Sequence, residues 1–384
     1  MRQGLRISLR SAIALMAALL AFVGTAGPAI ADTVGGEQLA SPHRTVALLP
    51  GAEPLPDVWA QTWIIADATT GDVLAQKGSH VQRAPASTLK MLTALTVMPR
   101  TSPQDTYIAT VKAASIDGAR VGLRPGRTYT LDQLWYAVFL PSANDAAIAV
   151  AQANGGVQTT IRQMNAVADD LQANDTLARS PNGLDKPRQV SSAYDLTLIA
   201  RAGLARPDFV TYAGTTRAMF PNVKGKGSHP IYTTNRLLLN GYRGMIGVKT
   251  GFTSNAGRTY VGAARRGGTT LIVTLMGIHE SSETAARKLL DWGFANRNKV
   301  TAIGTLVGPL EPPPATAPDP ASLAGPTIVP SPRGKPTEVT APSTGGVSSA
   351  VLWGAGVAAI GAAGASLVAF ATRRRPRGRH AVRS

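Results

Sequence analysis

The sequence predicts an α+β fold in which helices pack on an antiparallel sheet, and three observations carry that prediction. A hairpin pattern comes first, a helical middle follows, and a meander of strands closed by one amphipathic helix comes last. No internal repeat interrupts this order. It occupies residues 55–297, about the upper size of a single domain.

Trp63-Ile64-Ile65-Ala66-Asp67 and Val73-Leu74-Ala75, joined across Thr69-Thr70-Gly71-Asp72, read as the hairpin, since β-branched and aromatic runs flank a polar turn. From Pro85 to Met98 the period changes. Pro85 suits a first helical turn, and Leu89, Met91, Leu92, Ala94, Leu95 and Val97 leave almost no polar face, so a buried helix is expected. A second helical run, Leu131–Leu140, stops at Pro141, and a third begins near Asn144, which puts Ser142-Ala143-Asn144 on the turn between them. Met245–Thr253, Thr259–Ala264 and Thr270–Gly277 are strand runs separated by Ser254-Asn255-Ala256-Gly257 and Gly267-Gly268. Ser282–Asn296 closes the pattern as an amphipathic helix carrying Ala286, Leu289, Leu290, Trp292 and Phe294.

The flanks have a different composition. Residues 1–31 read as a secretory signal: Arg2, Arg6 and Arg10 precede the apolar run Ala12 to Val23, and Ala29-Ile30-Ala31 supplies a cleavage site before Asp32. Residues 32–54 read as an N-terminal extension. Residues 311–346, in which 10 of 36 are Pro, form an extended linker without the means to build a core. Residues 347–371 are uncharged and apolar, and as a helix their 25 residues would span about 37 Å, enough for a tilted transmembrane helix. The arginine-rich tail 372–384 would stay cytoplasmic by the positive-inside rule, which places residues 32–346 on the extracytoplasmic side of the cell membrane. Ala341-Pro342-Ser343-Thr344-Gly345 before that span leaves open a second expectation, sortase-type wall attachment near Thr344.

Composition narrows the chemistry. With no Cys among 384 residues there is no disulfide framework, thiolate nucleophile or Cys-zinc site. His43, His80, His229, His279 and His380 are scattered without metal-ligand spacing, so no metal or other cofactor is expected. No Gly-x-Ser-x-Gly elbow supports a Ser-His-Asp hydrolase. The net charge of +17 resembles that of a nucleic-acid binder, but +3 lies in residues 1–31 and +6 in residues 373–384. The core lacks basic clusters, so nucleic acid is not an expected partner.

Three short strings carry the chemistry: Ser87-Thr88-Leu89-Lys90, Ser142-Ala143-Asn144 and Lys249-Thr250-Gly251. Ser87 and Lys90, three apart at a helix start, share one face. A serine hydroxyl needs a base to become a nucleophile, and Lys90 can be that base if burial and a second cation, Lys249, lower its pKa. Singly, each string has a plain reading: Ser87 as an N-cap, Ser142 as a turn residue, Lys249 as a solvated strand lysine. Together, on a buried helix, an interhelical turn and a strand, they form one constellation.

That constellation resembles the penicillin-recognising serine acyltransferases, and within them the low-molecular-mass D-alanyl-D-alanine carboxypeptidases of serine peptidase family S11. The resemblance extends through Ala84-Pro85-Ala86, Asp145-Ala146-Ala147, Gly183-Leu184-Asp185, Ser191-Ser192-Ala193-Tyr194-Asp195-Leu196 and Gly247-Val248. It implies the penicillin-binding, β-lactamase-like transpeptidase fold. It implies Ser87 as acylated nucleophile, Lys90 as general base and Ser142 as proton relay to the departing amine. Asn144 would hold the substrate amide, Lys249 and Thr250 the terminal carboxylate, and the backbone N–H groups of Ser87 and Phe252, beside Gly251, the oxyanion. The implied partners are peptidoglycan stem peptides ending in D-Ala-D-Ala, with β-lactams as covalent inhibitors, and a membrane reached through the C-terminal helix. Two alternatives use the same residues: a D,D-endopeptidase on cross-links, and a non-catalytic β-lactam-binding or sensing module. No Glu lies between Glu53 and Glu280, which disfavours class A β-lactamase deacylation. Arg243 and Arg258 flank the third string without an assigned role.

Overall fold

The computed structural model describes residues 33–310 apart from 223 and 225. The expected signal segment, linker, transmembrane helix, basic tail and sorting string lie outside the described residues. Among the described residues no helix is long and apolar enough to cross a membrane.

In chain order the elements are β1 (Arg44–Leu48), β2 (Ala60–Asp67), β3 (Asp72–Lys77), α1 (Lys90–Val97), β4 (Thr106–Ile108), α2 (Val111–Ala114), β5 (Thr128–Thr130), α3 (Leu131–Phe139), α4 (Asn144–Ala153), α5 (Val157–Asp170), α6 (Ala193–Leu204), α7 (Pro207–Gly214), β6 (Arg217–Pro221), β7 (Ser228–Tyr232), α8 (Arg236–Leu239), β8 (Met245–Thr253), β9 (Gly257–Arg266), β10 (Thr269–Ile278), α9 (Ser282–Asn296), β11 (Val300–Thr301) and β12 (Gly304–Thr305). The main sheet runs β11-β1-β3-β2-β10-β9-β8, with β12 also on β3, and its pairings are antiparallel. The expected hairpin is β2–β3, and the expected meander is β8–β9–β10.

Both faces of this sheet are covered, which explains why its central strands read as unbroken apolar runs. On β2, Trp63 and Ile65 face a core completed by Ala285, Ala286, Leu289 and Leu290 of α9. Ile64 and Ala66 face the opposite, larger core, where Leu196 and Ile199 of α6 and Leu89, Met91 and Leu92 are buried. The same alternation holds on β10, with Leu271, Val273 and Leu275 on the first side and Ile272 and Met276 on the second. All eight residues of α1 are buried, so this helix is held by packing on every side. Local signals set the helix starts: Thr130 and Gln133 form a capping box on α3, while Ser192 and Ser281 cap α6 and α9.

Two sequence readings are revised. The helix expected from Pro85 to Met98 begins as a 3-10 turn, Ala86–Leu89, and becomes α-helical only at Lys90. Ala86 has φ +50°, a left-handed conformation that an ordinary helical start would not contain. Residues 32–54, read as an extension, contribute β1, which pairs with β3 and β11. Those partners come from opposite ends of the domain, a pairing that local periodicity does not reveal.

Candidate active site

The three strings meet at one cleft of about 800 Å³, lined among others by Ser87, Ser142, Thr234, Thr250, Gly251 and Phe252. Lys90, Asn144 and Lys249 lie beneath it, each no more than 3% exposed.

The 3-10 turn explains how Ser87 and Lys90 meet. In that geometry residues i and i+3 eclipse one another, and Lys90 Nζ lies 2.7 Å from Ser87 Oγ. The same nitrogen donates to Asn144 Oδ1 at 2.7 Å and to the carbonyl of Asn182 at 2.8 Å, which uses both N–H groups of the neutral amine and turns its lone pair to Ser87. Asn144 is itself fixed, its Nδ2 donating to the carbonyl of Asp117 at 2.8 Å and its backbone N–H to that of Ala119 at 2.7 Å. Next to it, the buried carboxylate of Asp145 accepts backbone N–H bonds from Val121, Gly122, Leu123 and Ala146, and thereby holds the loop before the cleft against the first turn of α4.

Burial governs the electrostatics. It pushes Lys90 well below the usual lysine range, and the positive charge of Lys249 pushes in the same direction, with Asp145 opposing. Burial also holds Lys249 down at about 7, with its Nζ donating to the carbonyl of Thr250 at 2.9 Å. A neutral Lys90 in hydrogen-bond contact with Ser87 can accept the hydroxyl proton. This is the general-base arrangement that makes serine nucleophilic.

Ser142 occupies the interhelical turn with φ +61°, and its buried Oγ has no hydrogen-bond partner among the described residues. Its hydroxyl proton is thus uncommitted, in a strained turn on the cleft wall. Gly251 brings the edge strand against the serine: a Cβ there would stand 2.8 Å from the Ser87 nitrogen and 2.4 Å from Thr259 Oγ1. Thr250 Oγ1 lies 2.7 Å from Thr234 Oγ1, a pair of hydroxyls on the cleft surface. Phe252 stands exposed at the rim.

Sequence reasoning missed Thr234, the Asn182 carbonyl and Arg236. Asn235 accepts backbone N–H bonds from Leu237 and Leu238 and the hydroxyl of Tyr260, and so fixes the short α8 that carries Arg236 at the cleft. Arg258 also lines the cleft, whereas Arg243 is not among its lining residues. These residues reach the cleft through folding of distant segments, and only their final positions reveal them.

Metal-type donors gather elsewhere among the described residues, at His80, Asp175 and Asp195. Both ring nitrogens of His80 are already engaged, Nδ1 with Asp175 at 2.8 Å and Nε2 with the carbonyl of Val34 at 3.1 Å.

Comparison with known proteins adds a separate line. The profile of the D-alanyl-D-alanine carboxypeptidase family, peptidase S11, matches residues 50–280. The D-alanyl-D-alanine carboxypeptidase DacB2 of Mycobacterium tuberculosis is 41% identical over 263 residues, which are 67% of this chain and 89% of that one. DacF of Bacillus subtilis, with the same activity in its name, is 30% identical over 62% of this chain and 62% of its own length, so the chain spans less than two thirds of that relative. Among solved structures, a D-alanyl-D-alanine carboxypeptidase of M. tuberculosis superposes with a TM-score of 0.63 at 40% identity, covering 68% of this chain and 99% of that one. A Streptomyces DD-transpeptidase gives a TM-score of 0.60 at 28% identity, covering 63% and 100%.

Proposed function

The chain belongs to the D-alanyl-D-alanine carboxypeptidase family of serine hydrolases, and from that premise we propose that it removes the terminal D-alanine from peptidoglycan stem peptides through a Ser87 acyl-enzyme. The observation that carries this reading is the 2.7 Å contact between Lys90 Nζ and Ser87 Oγ beneath a cleft, with Lys90 held below its usual pKa.

Neutral Lys90 takes the proton as Ser87 Oγ attacks the penultimate D-Ala carbonyl. The oxyanion forms against the backbone N–H groups of Ser87 and Phe252, a kind of contact worth about 3 kcal/mol per donor at the transition state. Ser142 gives its proton to the amine of the departing D-Ala as the C–N bond breaks and is reprotonated by the proton that Lys90 took from Ser87, and water then cleaves the ester. The hydroxyls of Thr250 and Thr234 receive the terminal carboxylate, and Lys249 supplies positive charge from below. Asn144, whose oxygen is committed to Lys90, positions the base. A β-lactam presents its ring carbonyl to the same groups and stays attached as the Ser87 ester.

The work site in this reading is extracytoplasmic, supported by the signal-like residues 1–31 and by the apolar span 347–371 followed by arginines. Membrane-versus-wall fractionation with C-terminal mass analysis tests that anchor, and a wall-linked product ending at Thr344 overturns it. The activity is tested by assaying free D-Ala from a stem-type peptide ending in D-Ala-D-Ala, with Ser87→Ala as control. Release by the wild type and none by the variant is expected. Covalent labelling by a fluorescent penicillin without D-Ala release would instead favour the sensing reading.

A further inference from the structure

Trp59 stands just before β2 and is 73% exposed, more than any other large apolar side chain among the described residues. An indole left in water marks a contact surface when it lies in a groove with polar neighbours. Trp59 does: with Val58, Gln61, Lys77 and His279 it lines a groove of about 430 Å³. Two hydrogen bonds of the Trp59 main chain hold the groove together and join it to the reaction cleft. The N–H of His279 donates to the carbonyl of Trp59 at 2.8 Å, and the N–H of Trp59 donates to Glu280 Oε1 at 2.9 Å. Glu280 lines the cleft.

Strand register measures the separation. Phe252 pairs with Arg258, Arg258 with Ile278, and Ile278 with Ala60, so one row crosses β8, β9, β10 and β2. Three strand spacings of about 4.8 Å make about 14 Å from the wall beside Ser87 to the groove. Four extended residues on the acyl side of the scissile bond also reach about 14 Å. A stem peptide extended along that row would bring its far end, where it joins its sugar, to Trp59.

The groove suits that group. Beside the groove β2 keeps little backbone free for a peptide: Ala60 pairs with Ile278 of β10, and its carbonyl accepts from Lys77 Nζ at 3.0 Å. It offers instead a flat apolar ring beside an amide and an imidazole, Gln61 Nε2 and His279 Nε2 lying 3.4 Å apart. The bulge at Gly277, with φ +61°, places Gln61 so closely that a Cβ there would come within 2.6 Å of Gln61 Oε1. A pyranose has the complementary surface, a C–H face and a hydroxyl edge.

The geometry points to a saccharide subsite: the Trp59 groove receives the amino sugar to which the stem peptide is joined. This rests on the proposed carboxypeptidase reading and adds a preference for glycan-linked over free peptide. The test uses the full chain with disaccharide-pentapeptide and free pentapeptide as probes. Binding to Ser87→Ala is measured by calorimetry with and without Trp59→Ala. A loss of about 10-fold on the disaccharide-linked probe and under about 2-fold on free pentapeptide is expected, with the same split in kcat/KM when Ser87 is intact. The penicillin acylation rate of Trp59→Ala, expected unchanged, reports a folded site, and Gln61→Ala with His279→Ala gives a second variant pair. Equal losses on the two probes, or none on either, overturn the subsite. If the wild type releases D-Ala from neither probe, the carboxypeptidase reading fails, and the binding ratio still decides the groove.

Discussion

Lys249 lowers the proton affinity of Lys90 although both side chains are buried, at 1% and 0% exposure. Burial is the larger cause for Lys90 and the neighbouring charge adds to it. The pair gives the site a base that can be neutral at ordinary pH and a cation poised near neutrality, from two residues of one type.

The acylation rate of Ser87 should therefore rise with pH as Lys90 loses its proton, and fall again as Lys249, held at about 7, loses its own. Replacing Lys249→Met removes the repulsion, raises the Lys90 pKa and moves the rising limb to higher pH. Labelling by a fluorescent penicillin across the pH range measures this, and an unmoved limb would sink the coupling. The same depressed values make the unfolded chain bind more protons, so this pair makes the native state more stable as pH rises from about 7 towards 10.5.

Ser142 combines a left-handed φ of +61° with an unpaired Oγ. Ser142→Gly should relieve backbone strain and raise stability by about 0.5–1 kcal/mol, while lowering D-Ala release about 100-fold. Denaturant melts and steady-state kinetics on one preparation separate the two effects. A variant losing stability and activity together would make Ser142 a structural residue.

Gly251→Ala inserts a methyl group 2.8 Å from the Ser87 nitrogen and 2.4 Å from Thr259 Oγ1. The edge strand must retreat, at a cost of about 1–3 kcal/mol. Penicillin acylation should drop by at least about 10-fold because the oxyanion donors separate. An unchanged acylation rate would show that the strand yields without disturbing the serine.

Asp195, 1% exposed, accepts a hydrogen bond from Thr176 at 2.7 Å, and burial pushes its carboxyl up to about 7. The folded protein then keeps a proton that the unfolded chain releases above about pH 4. This stabilising term is full below that pH and is lost as pH rises through about 7, a change on the order of 4 kcal/mol at most. Asp195→Asn keeps an acceptor for Thr176 without ionising. It should raise Tm at pH 8 and give no gain at pH 4, and equal shifts at both would refute the assignment.

The sheet's central strands and the closing helix were legible because two-sided burial writes continuous apolar runs, as in Leu271–Met276, and because α9 alternates at helical spacing. The positions of Ser87, Ser142 and Lys249 were legible as strings. The 3-10 turn was not, since Ala86 carries no outward sign of its positive φ. Thr234 and the Asn182 carbonyl were hidden for a different reason: they act through contacts with Thr250 and Lys90, residues 16 and 92 positions away. Asp145 was visible as a neighbour of the second string, but its four backbone partners, most of them in a loop more than 20 residues upstream, were not.

The register of the main sheet has a consequence for when the serine becomes reactive. β2, near the start of the domain, pairs with β10 through Asp67 and Leu271, and β1 is flanked by β11, beyond α9. Lys249 arrives on β8, which is held in the sheet through β9 and, beyond it, β10. A chain still emerging from the ribosome carries the Ser87–Lys90 string without the dry surroundings that unload the base, so its lysine remains an ordinary hydrated ammonium. Chemical competence is thus among the last properties the chain acquires, and a nascent chain lacking its final strands is a harmless peptide.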